Sequence, residues 1–131
     1  MAPGRHPKPI RPTLDDVESR LGYVFADKAL LTRALTHSSA AQGGDHRQGS
    51  YQRLEFLGDR VLGLAVAEML FSLDDKSDEG AMSRRLSELV RAETCAQVAS
   101  SLDLGAAVRV GSSEAKTGVG KRAGVLADLC E

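Results

Sequence analysis

The 131-residue chain has no tryptophan, only two cysteines, and only four prolines, which all fall within the first 12 residues. Cys95 and Cys130 are too few for a disulfide framework, so a reducing, cytoplasmic setting is expected. The five aromatic residues, Tyr23, Phe25, Tyr51, Phe56 and Phe71, offer little surface on which unpaired bases could stack. Neither sign of charge dominates. Lys plus Arg total 17 and Asp plus Glu 18, a formal net charge of -1, which excludes a protein that holds nucleic acid by bulk positive charge alone but leaves room for local patches. Long apolar runs are absent as well: the best stretch, Val61 to Phe71, is too short to cross a bilayer and contains Glu68. No apolar stretch follows Arg5, His6, Lys8 and Arg11, so no signal peptide is expected. No membrane partner is expected either.

What remains is 42% hydrophobic and 27% charged, enough to build the core of one compact domain. Residues 1–13 (MAPGRHPKPIRPT) read as a flexible basic arm with three of the basic residues and none of the acids, so residues 14–131 carry net -4. Beyond the arm the periodicity is helical. Thr13 caps a helix running to about Leu21, with Leu14, Val17 and Leu21 on one face. Asp27 caps a second, with Leu30, Leu31, Ala34 and Leu35 as its stripe, ending near residues 36–39. A polar loop, 41–50, precedes a long helix from about Tyr51 to Phe71. Apolar on nearly every side, that helix is expected to be buried. The acidic loop 74–80 leads to a helix over about 81–102, with Leu86, Leu89, Val90, Val98 and Leu102 as its buried stripe. A Gly- and Ser-rich loop, 105–120, holds a brief extended stretch at Val108 and Val110, and 121–131 begins a last helix. The class is all-α.

The acids on these helices need an account. Glu55 and Asp59 lie four apart, on one face of the long helix, among apolar neighbours. Two like charges there are unfavourable by several kcal/mol unless cations or donors compensate. Asp128 and Glu131, three apart, repeat the arrangement. Brought together, the two pairs make an all-oxygen site suited to Mg²⁺ or Mn²⁺ and unsuited to zinc. Pairs at this spacing are also common on solvated helix faces; the apolar company of Glu55 and Asp59 is what sets them apart. Gly58 between them either lets another backbone or a substrate come close or serves helix packing.

The segment Gln52-Arg53-Leu54-Glu55-Phe56-Leu57-Gly58-Asp59-Arg60-Val61-Leu62 resembles the signature of the ribonuclease III family. Leu35-Thr36-His37-Ser38-Ser39 ahead of it, then Asp78-Glu79-Gly80, Leu89-Val90, Leu104-Gly105 and Val110-Gly111, recur in the family's order. Ala127-Asp128-Leu129-Cys130-Glu131 resembles its closing Asp-x-x-Glu motif, so the likeness covers about residue 14 to the last. The resemblance implies an all-helical, homodimeric nuclease domain with two active sites in one cleft. The implied activity is Mg²⁺-dependent hydrolysis of double-stranded RNA (Mn²⁺ substituting), leaving 5′-phosphate and 3′-hydroxyl ends with short 3′ overhangs, in rRNA and mRNA processing. The family's metal-site acids fall on Glu55, Asp59, Asp128 and Glu131, with Asp59 and Glu131 also catalytic; its auxiliary acid falls on Glu79, and Phe56 takes the position that packs across the dimer seam. Against the family pattern, residues 14–131 are expected to be a nuclease domain short of its C-terminal end and without a double-stranded-RNA-binding domain.

Three departures stand out. Gln52 replaces a frequent acid, Tyr51 a frequent Asn, and Cys130 a frequent aromatic. Cys95 and Cys130 read as small buried fillers, since no group that would activate a thiolate accompanies them. His37, at a helix end, reads as a cap rather than a general base. Arg84, Arg85, Lys121 and Arg122 are candidates for RNA contact, each with ordinary surface solubility as its alternative. The rival from another class is a catalytically inactive RNA-binding or scaffold relative, or an inactive fragment; four intact acids speak against it. A carboxylate-bridged redox bundle would need Glu-x-x-His pairs on facing helices, and there are none.

Overall fold

A computed structural model of the chain describes residues 10–41 and 49–131. The expected arm lies outside the described residues except for 10–13, and so does most of the polar loop 41–50. The described elements are α1 (Leu14–Leu21), α2 (Lys28–Ala34), α3 (Gln52–Leu73), α4 (Glu79–Val90), α5 (Ala92–Ser101), the short α6 (Ser112–Lys116) and α7 (Ala123–Cys130), with brief 3₁₀ turns at Ser38–Ala40, Leu104–Ala106 and Val119–Lys121. Among the described residues no strand forms, and the class is all-α as expected.

Local chemistry starts the helices. Thr13 Oγ1 accepts from the Asp16 N–H at 3.2 Å while the Asp16 carboxylate accepts from the Thr13 N–H at 2.8 Å, a reciprocal cap worth about 1 kcal/mol. Gly22, at φ 67°, ends α1 in the left-handed region. Asp27 caps α2 by accepting from Ala29 and Leu30, and Asp78 caps α4 through Ala81 at 2.8 Å. Glu18 joins α1 to the start of α2. Its buried carboxylate takes the Lys28 ammonium and the Phe25 N–H, and the Lys28 hydrogen bond holds it below the usual carboxylate range.

The main core gathers Val17, Leu31, Leu35, Ala99, Leu104 and Ala107 from α1, α2, α5 and the turn after it. Each large aliphatic buried there contributes roughly 1.5–3 kcal/mol. The extended stretch expected around Val108 and Val110 takes the form of one bridge. Arg109 N–H donates to the Leu35 carbonyl at 2.7 Å, His37 N–H donates to the Arg109 carbonyl at 2.9 Å, and Val108 is buried.

Three expectations are corrected. The helix expected over 81–102 is two helices, because Arg91 adopts extended backbone (φ -67°, ψ 157°) between α4 and α5. The break carries neither glycine nor proline; Thr94 Oγ1 stabilises it by donating to the Glu88 carbonyl at 2.7 Å, and Arg91 pairs with Glu88 and Glu93 across it. The buried stripe shifts with it. Leu89 and Val98 are almost half exposed, and the buried face of α5 is Cys95, Ala96 and Ala99, small residues that let α7 pack closely against it. Finally, α3 is not buried. It packs against α4 and α7, only Leu70 along it is buried, and Phe56 (69% exposed), Leu64 and Phe71 stand in solvent, because one chain has too few elements to cover every side.

Candidate metal centre

The helical period places Glu55 and Asp59 one turn apart on α3, and the same period places Asp128 and Glu131 together at the end of α7. Packing then brings the two helices into register. Leu62 of α3 lies against the cluster formed by Cys95, Ala96 and Ala127, which Cys130 also joins. Gly58 permits the closest approach: a Cβ at that position would overlap the Glu131 backbone carbonyl. Of the two roles open to Gly58, the approach of another backbone is the one observed.

One carboxylate oxygen from each of Glu55, Asp128 and Glu131 lies within 4.8 Å of the others, and all three residues are half-buried. Asp59 stands outside this trio. Its carboxylate, 42% exposed, pairs with Arg60 Nη1 at 3.3 Å. Asp59 still acts on the cluster: Glu131 is pushed up to about 7 by burial, by its hydrogen bond with Glu55, and by the charges of Asp59, Glu55 and Asp128. Among the described residues no lysine or arginine forms an ion pair with the trio. Three half-buried carboxylates this close repel one another, which favours a bound cation, and an all-oxygen donor set of this kind fits Mg²⁺ or Mn²⁺. A cavity of about 290 Å³, mostly apolar, adjoins the trio between Tyr51, Leu54 and Leu129.

Tyr51, in the sequence only a departure from the family pattern, takes part in the site. Its phenol donates to Asp128 Oδ2 at 2.9 Å, and the residue is 5% exposed. Burial, then the bond to Asp128, pushes the phenol well above its ordinary value, so it stays a protonated donor. The available signal was spacing, since Tyr51 precedes Glu55 by four and shares its helix face. The 36–39 segment braces this residue: the Tyr51 N–H donates to the Thr36 carbonyl at 2.9 Å, and the His37 ring packs edge-on at 6.0 Å between centroids. His37 itself is a cap, with Nδ1 accepting from the Ser39 N–H at 3.1 Å. Cys95 and Cys130 are packed fillers whose thiols burial pushes up, Cys130 to about 12.

The other expected site residues lie apart from the trio. Glu79 is the first residue of α4, beside Ala67, Leu70 and Phe71, and is therefore about 18 Å or more along α3 from Glu55. Phe56 and Gln52 face outward along a wide groove with Arg33, Arg53 and Leu57. Arg84 and Arg85 lie exposed on α4, where Arg85 meets Asp74 at 3.7 Å; Lys121 and Arg122 are exposed just ahead of α7.

The family described as Ribonuclease-III-like matches residues 27–131. A protein named Ribonuclease 3 from Nitrobacter winogradskyi is 54% identical over 115 residues, which are 88% of this chain and 43% of that protein. Another Ribonuclease 3, from Jannaschia sp., is 51% identical over 124 residues, 95% of this chain and 53% of its own length. The chain thus spans about half the length of the curated relatives it matches. Among solved structures, the nuclease domain of ribonuclease III from Campylobacter jejuni, described for structural flexibility in a region involved in dimer formation, superposes with a TM-score of 0.81 at 36% identity, covering 90% of this chain and 79% of that one. A second structure of that nuclease domain gives 0.79 at 37% identity, covering 88% and 76%.

Proposed function

The chain belongs to the ribonuclease III family, and on that footing we propose that it is a divalent-metal-dependent endoribonuclease domain acting on double-stranded RNA. The observation that carries the proposal is the meeting of Glu55 with Asp128 and Glu131, more than 70 residues away along the chain, within 4.8 Å. A scaffold has no need to gather three carboxylates this closely with no lysine or arginine among the described residues paired to them.

In this reading Glu55, Asp128 and Glu131 supply the oxygens that already meet, and Asp59, one turn from Glu55 at the rim, completes the set that holds the ion and shares the catalytic role with Glu131. Bound Mg²⁺ or Mn²⁺ supplies an activated water, an oriented scissile phosphate and a neutralised leaving oxygen. The residues' own part is to present fixed oxygens and to give up the proton that Glu131 shares with Glu55 when the site loads. No side-chain nucleophile is needed, and the ends would be 5′-phosphate and 3′-hydroxyl. Exposed Arg84, Arg85, Lys121 and Arg122 are the proposed phosphate contacts; a duplex is gripped mainly through phosphates and 2′-hydroxyls, which suits scattered cations better than aromatic platforms. A homodimer is proposed on the open apolar face of α3, with Phe56 in the seam. Glu79 keeps an auxiliary role only where the RNA or a second copy spans its distance from the trio. A cytoplasmic setting and a part in rRNA and mRNA processing belong to the same proposal; among the described residues no helix is long and apolar enough to cross a membrane.

The test is cleavage of a long RNA duplex by this chain. Cleavage is expected with Mg²⁺ and is expected to vanish with EDTA or in Glu131→Ala and Asp59→Asn. Cleavage that persists in EDTA or without those acids overturns the mechanism.

A further inference from the structure

We infer that Tyr51 is a positioning residue for the metal centre, its phenol setting the orientation of the Asp128 carboxylate so that it meets Glu55 and Glu131 in one arrangement. The inference rests on the metal-dependent reading above. Helix α7 places the Asp128 backbone but leaves its carboxyl rotation open, because that torsion has a broad, roughly two-fold profile. The phenol at 2.9 Å from Oδ2 closes this freedom.

Tyr51 is itself well held. Its ring is buried, its N–H is committed to the Thr36 carbonyl, and the His37 ring packs edge-on against it. Thr36 and His37 are held in turn by the bridge to Arg109. A line of contacts therefore runs from the 36–37 segment and the 109 bridge through Tyr51 to a carboxylate on α7. A phenylalanine would fill the same space with no polar atom to satisfy, so the hydroxyl is the informative group, and Asp128 is its partner. The donor is also neutral. A lysine or arginine here would orient Asp128 but would cancel the negative charge that draws a cation; a phenol orients it and leaves that charge in place.

Outer hydrogen bonds to ligating groups typically change metal affinity or activity by 10–100-fold when removed. The experiment is Mn²⁺ titration of the full chain, followed by the electron paramagnetic resonance of free Mn²⁺, in the unaltered protein, Tyr51→Phe and Glu131→Gln. Expected are a severe loss in Glu131→Gln and a loss of about 10-fold in Tyr51→Phe. In Tyr51→Phe the Mn²⁺ midpoint for duplex cleavage is expected to move by the same factor, with the KM for RNA unchanged and the metal-free melting temperature within about 5 °C of the unaltered protein. With no tryptophan and two tyrosines in the chain, tyrosine-sensitised Tb³⁺ emission adds a second readout, expected to survive Tyr23→Phe and to disappear in Tyr51→Phe. Unchanged Mn²⁺ affinity in Tyr51→Phe, alongside a loss in Glu131→Gln, overturns this inference and leaves the metal reading standing. A raised KM for RNA, or a larger fall in metal-free melting temperature, overturns it too, by assigning Tyr51 to the substrate or to packing. Absence of Mn²⁺ binding in the unaltered protein overturns both readings together.

Discussion

A Cβ added to Gly58 would sit 1.7 Å from the backbone carbonyl oxygen of Glu131, so the helix bearing one acid pair and the end of the helix bearing the other touch at a point with room only for hydrogen. The contact places Glu131 alongside Glu55, three residues before Gly58 on α3.

Gly58→Ala sets two effects against each other. Alanine favours the helix by about 1 kcal/mol over glycine, while forcing a methyl group into this contact costs typically about 1–3 kcal/mol and displaces the end of α7. Net destabilisation is expected, with a loss of Mn²⁺ affinity larger than the loss of stability would suggest. Thermal melts and Mn²⁺ titrations of the variant check both; an alanine variant that melts higher and binds Mn²⁺ normally would show that α7 yields at no cost.

Glu131 makes the site pH-dependent with a definite sign. Its folded value, about 7, lies above the ordinary 4.5, so between those values the folded state binds more protons than the unfolded one. The metal-free protein is therefore expected to lose stability from this group as pH rises from about 4.5 through 7. Metal binding runs the other way, because the ion displaces the proton: Mn²⁺ affinity is expected to rise across the same window and level off above it. Glu18 does not blur this window, since its lowered value gives a stabilisation that is constant above the ordinary carboxylate range and is lost only as pH falls below it. Melting temperatures at pH 5.5 and 8, with and without Mn²⁺, should show opposite trends.

The open face of α3 predicts self-association. Phe56 and Leu64, 69% and 71% exposed in one chain, are large apolar groups on one long helix. Sedimentation at micromolar concentration is expected to give a dimer for the unaltered protein and a monomer for Phe56→Asp/Leu64→Asp, with far-ultraviolet circular dichroism unchanged. A monomer in both cases would remove the proposed seam.

Much of the helical layout was legible because its causes are local. Thr13 and Asp27 cap within three residues, and the apolar spacing in α1 and α2 puts Val17 and Leu31 in the core. The break at Arg91 was not legible, because extended backbone there depends on α5 turning onto α7 rather than on any breaker residue. For the same reason α5 is buried through Cys95, Ala96 and Ala99: what matters is how near another helix must come, and leucines at those positions would hold it off.

For the candidate site, spacing along the chain settles two things only: Glu55 shares a face with Asp59, and Asp128 shares one with Glu131, as 3.6 residues per turn requires. Which of the four meet is a matter of packing between segments 70 residues apart. There Gly58 admits the Glu131 backbone, Tyr51 takes hold of Asp128, and Asp59 turns to Arg60 at the rim. A helical period constrains neighbours within about two turns, while the meeting of distant carboxylates depends on the shapes of the surfaces between them, and those exist only in the folded chain.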